Sequence, residues 1–183
     1  MRSALVFLCL GVSTLSLRAT TLLQLSLDDM ITKSTAIVRA HVEGSYSAIA
    51  GQVIYTHYTV QVTESLKGST GSQMDVAILG GAAKGLRQIF PGAPTLLSGE
   101  DCVLFLWTSP SGLTQIIGLS QGLFTVEETS GEVMVTRSPT QELMLNRAGK
   151  PVHDKAVQMP LSNLRAHIWR TLAGGATTGG AAK

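Results

Sequence analysis

A serine held between glycines, Gly118-Leu119-Ser120-Gln121-Gly122, is the sharpest chemical pattern in the chain. In hydrolases this G-x-S-x-G pattern sets a nucleophilic serine on a strained strand-to-helix turn. Asp154 and then His167 come later, in the chain order such enzymes use. After Gly122, however, the chain continues Leu-Phe-Thr-Val-Glu-Glu, which reads as a strand, and it lacks alternating βα units. The pattern is therefore expected to be a tight turn whose glycines take unusual backbone angles and whose Ser120 bonds locally. No catalytic residue is assigned.

Histidine chemistry is the next possibility. His41 and His57 fall on the polar parity of successive strands, with Glu43 close in sequence, and together would make a weak surface site at best. A zinc site needs three or four converging ligands, and no H-x-x-x-H, C-x-x-C or acidic cluster accompanies them. Two solvated imidazoles are expected, with no metal and no cofactor. His153, beside Asp154, falls in a polar loop; His167 precedes core-facing Ile168 and belongs at a helix rim.

The run Gly80-Gly81-Ala82-Ala83-Lys84-Gly85, with Arg87 after it, offers backbone N–H groups to an anion. It lacks the Gly-Lys-Ser/Thr ending of a phosphate loop and is not G-x-G-x-x-G. It reads as a flexible loop. Long loops on rigid frames carry recognition, so Lys84 and Arg87 are binding candidates. Tyr46, near a hairpin tip, and Tyr55, on the outward parity of the next strand, join them as exposed rings. Two rings alone do not make a stacking platform for bases or sugars. Phe105 and Trp107 are expected to fill the core, and Trp169 to pack the last helix onto the sheet.

The elements that must position these residues are legible in the periodicity. Ser26 caps a short helix over Leu27–Lys33, with acids in its first turn and a lysine in its last. From Ala36 the period becomes two: Val38, Ala40 and Val42 alternate with Arg39, His41 and Glu43, then Tyr58, Val60 and Val62 with His57, Thr59 and Gln61. Ala50-Gly51 marks the hairpin between these strands. Met74, Val76 and Ile78 mark a third strand, and Gly80 to Pro94 a long loop with one helical turn. Cys102–Trp107 is apolar throughout, as for a strand covered on both faces. Strands at Leu113–Leu119, Leu123–Glu127 and Glu132–Thr136 come next, then an irregular stretch with a short helix at Gln141–Asn146. Leu161, Leu164, Ile168 and Leu172 define a final helix stopped by Gly174-Gly175.

The first residues read as an export signal. Arg2 precedes the apolar run Ala4–Leu17, and Ala19 supplies the small residue of a cleavage site. The run is shorter than the roughly 20 residues that span a bilayer as a helix. Residues 1–19 are thus expected to be a signal peptide, leaving 164 residues in the periplasm or the medium. Val6-Phe7-Leu8 before Cys9 lacks the small residue of a lipidation site. Losing Arg2 and Arg18 takes the 14 basic residues to 12, matching the 12 acids. A neutral surface argues against nucleic acid, whose binding rests on phosphate neutralisation, and no further membrane span is expected. Cys102, then alone, has no internal disulfide partner and reads as a buried apolar residue. Residues 174–183 are expected to form a disordered Gly/Ala/Thr tail.

Ser-Leu-Asp-Asp-Met (26–30), Ala-Ile-Val-Arg-Ala-His-Val-Glu (36–43) and the strand ending in Glu-Ser-Leu-Lys-Gly (64–68) resemble a group of uncharacterised exported bacterial β-barrel domains. Pro-Gly-Ala-Pro (91–94), Gly-Glu-Asp-Cys-Val-Leu-Phe-Leu (99–106) and Gly-Leu-Ser-Gln-Gly-Leu-Phe (118–124) extend the resemblance over most of the mature chain. The opening strands are also similar to netrin-type barrels of metalloproteinase inhibitors, but those use an N-terminal cysteine and several disulfides, so their mechanism does not carry over. The tally of six or seven strands with a helix at each end favours a barrel or a sandwich, and the fold expected is mainly β, an OB-like Greek-key barrel. The function expected is an exported, non-enzymatic module binding a protein or glycan at its loop edge through Tyr46, Tyr55, Lys84 and Arg87. The alternatives are a serine hydrolase using Ser120 and a self-associating structural protein of the envelope.

Overall fold

The computed structural model describes residues 21–176; the expected signal peptide and residues 177–183 lie outside the described residues. β1 (Thr21–Leu23) leads into α1 (Leu27–Lys33), followed by β2 (Ala36–Ala50), β3 (Val53–Lys67) and β4 (Gln73–Leu79). A small hairpin, β5 (Gly81–Ala83) and β6 (Leu86–Gln88), precedes β7 (Asp101–Thr108), β8 (Thr114–Ile116), β9 (Leu123–Thr129) and β10 (Glu132–Arg137). The chain closes with β11 (Leu143–Leu145), β12 (Pro151–Val152), β13 (Val157–Pro160) and α2 (Leu161–Ala176). Among the described residues 51% lie in strands and 14% in the two helices, so the protein is mainly β.

The main sheet runs β13-β10-β9-β7-β2-β3-β4, antiparallel throughout, with β8 also paired to β7. Three register shifts between β2 and β3 bend the long strands. The sheet curls until β4 lies beside β8, but no hydrogen-bonded ladder joins them. The expected barrel is thus not closed: the sheet keeps two ends.

Period-two alternation sends alternate residues to two separate cores. Val38, Ala40, Val42, Tyr58, Val60, Val76, Leu104 and Leu106 fill the concave side. Ile37, Val103, Phe105, Phe124 and Val135 face the other way, against Met30 and Ile31 of α1 and Leu161, Leu164 and Ile168 of α2. This second layer explains why Cys102–Leu106 is apolar on both faces. Cys102 is buried; burial, with the charges of Asp101 and Glu100, pushes its thiol up to about 12, which suits an inert core residue.

Leu66-Lys67-Gly68 acquires a physical meaning here. Leu66 is buried under the helices. Lys67 Nζ donates to the carbonyls of Ile31, Thr32 and Ser34 at 2.6, 2.9 and 2.6 Å, satisfying the end of α1. Burial pushes that ammonium below its ordinary value. At the other end Ser26 and Asp29 form a reciprocal capping box. Gly68 has φ 80°, and a Cβ there would sit 2.6 Å from the Thr35 carbonyl oxygen. Gly68→Ala is expected to cost about 2 kcal/mol through backbone strain and displacement. A thermal melt about 5 °C below wild type would show it.

Several expectations are corrected. Gly80–Pro94 holds the β5–β6 hairpin rather than a helical turn, because Lys84 and Gly85 both take positive φ (50° and 77°) and reverse the chain in two residues. The helix expected at Gln141–Asn146 is replaced by β11, whose Leu143–Leu145 pair in parallel with Thr21–Leu23; a distant partner overrides local preference. Trp107 is 42% exposed: it lies on the side of β7 that the helices cover at Val103 and Phe105, beyond the reach of that cover. Trp169 is 69% exposed, one step around α2 from buried Ile168. The glycines at 174 and 175 do not stop α2, which runs to Ala176.

Candidate functional site

The tip of the β2–β3 hairpin carries the most developed polar and aromatic surface. Register places Tyr46 opposite His57 and Ala48 opposite Tyr55. The Tyr46 and His57 rings stack with centroids 4.9 Å apart and planes 9° from parallel, while Tyr55 approaches His57 at 6.4 Å, tilted by 59°. Asp75 of β4 completes the group: Oδ1 lies 2.7 Å from His57 Nδ1, and Oδ2 accepts from Tyr46 Oη at 3.3 Å. The Asp75 charge holds the Tyr46 phenol above its ordinary value. These four side chains and the Ser111–Thr114 turn enclose a shallow concavity of about 540 Å³.

Lys84 and Arg87 are elsewhere. Ser47 and Thr56 are paired one step from Tyr46 and Tyr55, so the pleat turns them to the opposite face. That face receives β5: a Cβ on Gly81 would meet Thr56 Oγ1 at 2.5 Å and Ser47 Oγ at 2.6 Å. Thr56 Oγ1 donates to the Gly80 carbonyl at 2.8 Å, and Gln88 Oε1 accepts from Ile54 N at 2.6 Å, tying the hairpin down. Lys84 stands exposed at its turn, and Arg87 lines a cleft of about 330 Å³ with Thr56, Tyr58, Gln88 and Phe90. The single loop edge expected from sequence is thus two surfaces on opposite faces of one ribbon.

The serine pattern is a loop between β8 and β9, which pair with successive parts of β7. Its ends are pinched together: Ile117 N donates to the Phe105 carbonyl, Phe105 N to the Gly122 carbonyl and Gly122 N to the Ile117 carbonyl. A Cβ on Gly122 would lie 2.9 Å from the Phe105 oxygen, and one on Gly118 2.9 Å from Leu25 Cδ1. Among the described residues Ser120 makes its local bond through its carbonyl, from Leu123 N at 3.2 Å. The buried side chain is that of Gln121, 1% exposed, which accepts from Leu25 N at 2.9 Å and donates to the Leu23 carbonyl at 3.0 Å.

The other candidate partners are committed separately. Asp154 takes two 2.7 Å bonds from Arg137, whose side chain is 10% exposed against 3% for Asp154. His167 Nε2 lies 2.6 Å from Asp28, which also accepts from Thr171 and joins α1 to α2. His41 Nδ1 is 2.8 Å from Asp101 Oδ1, and Arg39 donates to Asp101 Oδ2 at 3.2 Å. Hydrogen bonds from His41 above all hold the Asp101 carboxyl below its ordinary value. His41 and His57 therefore have different partners, and Glu43 accepts from Gln73 instead of joining them. No cluster of three or more metal-ligating side chains occurs among the described residues.

Sequence reasoning named Tyr46 and Tyr55 and missed Asp75 and the role of His57 beside them. Their outward parity was readable, since Asp75 lies between Met74 and Val76, but their meeting depends on strand register. Arg137 left no motif, and Lys67 and Gln121 lie inside motifs that do not by themselves announce their roles. Comparisons with family models, curated proteins and solved structures give no match for this chain.

Proposed function

We propose that the protein is an exported, non-enzymatic binding module that takes a protein or glycan partner at the β2–β3 and β5–β6 hairpins. The observation that carries the reading is Tyr46: a large ring 55% exposed to solvent yet held in place by the His57 stack and the Asp75 contact. A ring already immobilised loses little entropy when a partner covers it. Lys84 and Arg87, on the opposite face, give the same tip a cationic side. The non-enzymatic part is supported by the structural employment of Asp154 with Arg137 and of His167 with Asp28. The OB-like Greek-key plan belongs to this proposal; its support is the approach of β4 to β8 around the concave core. Export to the periplasm or the medium, in a bacterial cell, rests on the composition of Met1–Ala19. The same resemblance to exported β-barrel domains supports it.

The test is capture from a native envelope extract with tagged wild type, Tyr55→Ser and the double variant Lys84→Ser/Arg87→Ser. A specific partner retained by wild type and lost by at least one variant is expected. No partner, or equal capture by all three proteins, overturns the reading; a concentration-dependent mass in sedimentation would favour self-association instead. A fluorophosphonate probe is expected to leave Ser120 unlabelled, and labelling abolished by Ser120→Ala would restore the hydrolase.

A further inference from the structure

We infer that the Tyr46–His57–Asp75 concavity is a subsite for one neutral hexopyranose residue of a polysaccharide. This rests on the binding-module reading and gives one of its two surfaces a ligand class. One face of the Tyr46 ring is taken by His57, with planes 9° apart, and more than half of the residue remains open. The negative face of an aromatic ring attracts the weakly positive C–H groups of a sugar's apolar side, as it attracts ring edges in proteins. Asp75 stands beside that ring with its side chain 48% exposed. Its two oxygens accept one contact each, from His57 and Tyr46. A carboxylate offers about four acceptor positions, so each oxygen retains room for a sugar hydroxyl.

The lining narrows the class further. Neither lysine nor arginine lines the concavity, and its one fixed charge is a carboxylate, so phosphate and carboxylate ligands are disfavoured. Its depth is shallow and its far wall is the Ser111–Thr114 turn, which suits one ring of a chain lying across the surface. A cationic side chain would also meet a ring and a carboxylate, but its binding would weaken with salt, whereas stacking of a neutral ring would not.

Cosedimentation of the full chain with insoluble cellulose, chitin and peptidoglycan sacculi tests the inference. Wild type is expected to bind at least one, with an affinity unchanged between low and high salt. Tyr46→Ala should weaken that binding about tenfold, the scale of a lost aromatic stacking partner, and Tyr46→Phe should retain most of it. Asp75→Asn, which keeps one acceptor oxygen and loses the charge, should bind better than Asp75→Ala. Unchanged melting temperatures keep these variants interpretable. Equal binding by wild type and Tyr46→Ala, salt-labile binding, or no binding to any of the three overturns the inference. If envelope capture still yields a partner in that case, the subsite fails while the module reading stands; if both fail, both are wrong.

Discussion

Asp154→Ala is expected to destabilise the protein by about 3–5 kcal/mol, because it strands a buried guanidinium. Arg137 donates to both Asp154 oxygens at 2.7 Å and to the Lys155 carbonyl at 2.8 Å. Asp154 in turn accepts from Thr140 N and Lys155 N at 2.9 Å each, so one carboxylate organises the whole excursion from β10 to β13. Domains are stable by only about 5–15 kcal/mol, so this loss should lower the thermal midpoint by about 10 °C or more. Replacing both partners with apolar residues, Arg137→Met with Asp154→Leu, should recover part of it, since no charge is then left unpaired although the Thr140 and Lys155 backbone groups still lose their bonds. A double variant as unstable as Asp154→Ala would show that the pair matters for packing rather than charge.

The same pair sets the response to acid. Burial by itself would raise Asp154, but the Arg137 bonds and the two backbone amides outweigh it and hold the carboxyl below its ordinary value. Asp28, bonded by His167 and Thr171, and Asp29, bonded by Ser26, are held low as well. Each such group favours the folded state above its unfolded pKa, about 4, and that contribution disappears as pH falls through the lower folded value. Stability measured in urea should therefore be level from pH 7 to about 5 and fall below about 4. Asp154→Asn should flatten that acid limb by up to about one proton; an unchanged slope would refute the assignment.

Gln121→Leu is expected to cost about 3 kcal/mol while its neighbour Ser120→Ala costs less than about 0.5. Gln121 is nearly fully buried, and its amide is the partner of the Leu25 N–H and the Leu23 carbonyl. Leucine fills the space but leaves those two part-buried backbone groups without their bonds, and a group left unsatisfied away from water costs about 1–3 kcal/mol. Amide exchange at Leu25 should accelerate well before the sheet opens, because the segment from β1 to α1 loses its anchor. Equal stability of the two variants would remove Gln121 from this role. The contrast reverses what the G-x-S-x-G pattern suggests, since the residue that matters for the fold is the one written as x.

How much of the molecule was readable from the chain depends on the range of each interaction. Val38, Ala40, Val42, Tyr58 and Val60 are buried as their alternation demands, Ser26 caps α1, and Gly51 turns the hairpin. Each of these depends on neighbours within a few residues, where periodicity and backbone preference act directly. Tyr55 was legible as outward-facing for the same reason, whereas Tyr46 shares the parity of Val38, Ala40 and Val42 and faces outward because the register shifts between Val42 and Gly44. Trp107 and Trp169 were misjudged because their burial depends on how far a separate layer extends.

The amino-acid sequence by itself determined the mainly β character, the two terminal helices and the inward or outward facing of most strand residues. The tertiary structure alone decided that the sheet stays open, that Tyr46 meets Asp75 across two strand pairings, and that Lys84 and Arg87 fall on the other face of the ribbon. The reason is register. Alternation tells which side of a strand a residue occupies, but a shift of one residue against the neighbouring strand changes every partner it meets. That register was set here by bulges in β2–β3 and by the bonds of Gln88 and Thr56 to distant backbone.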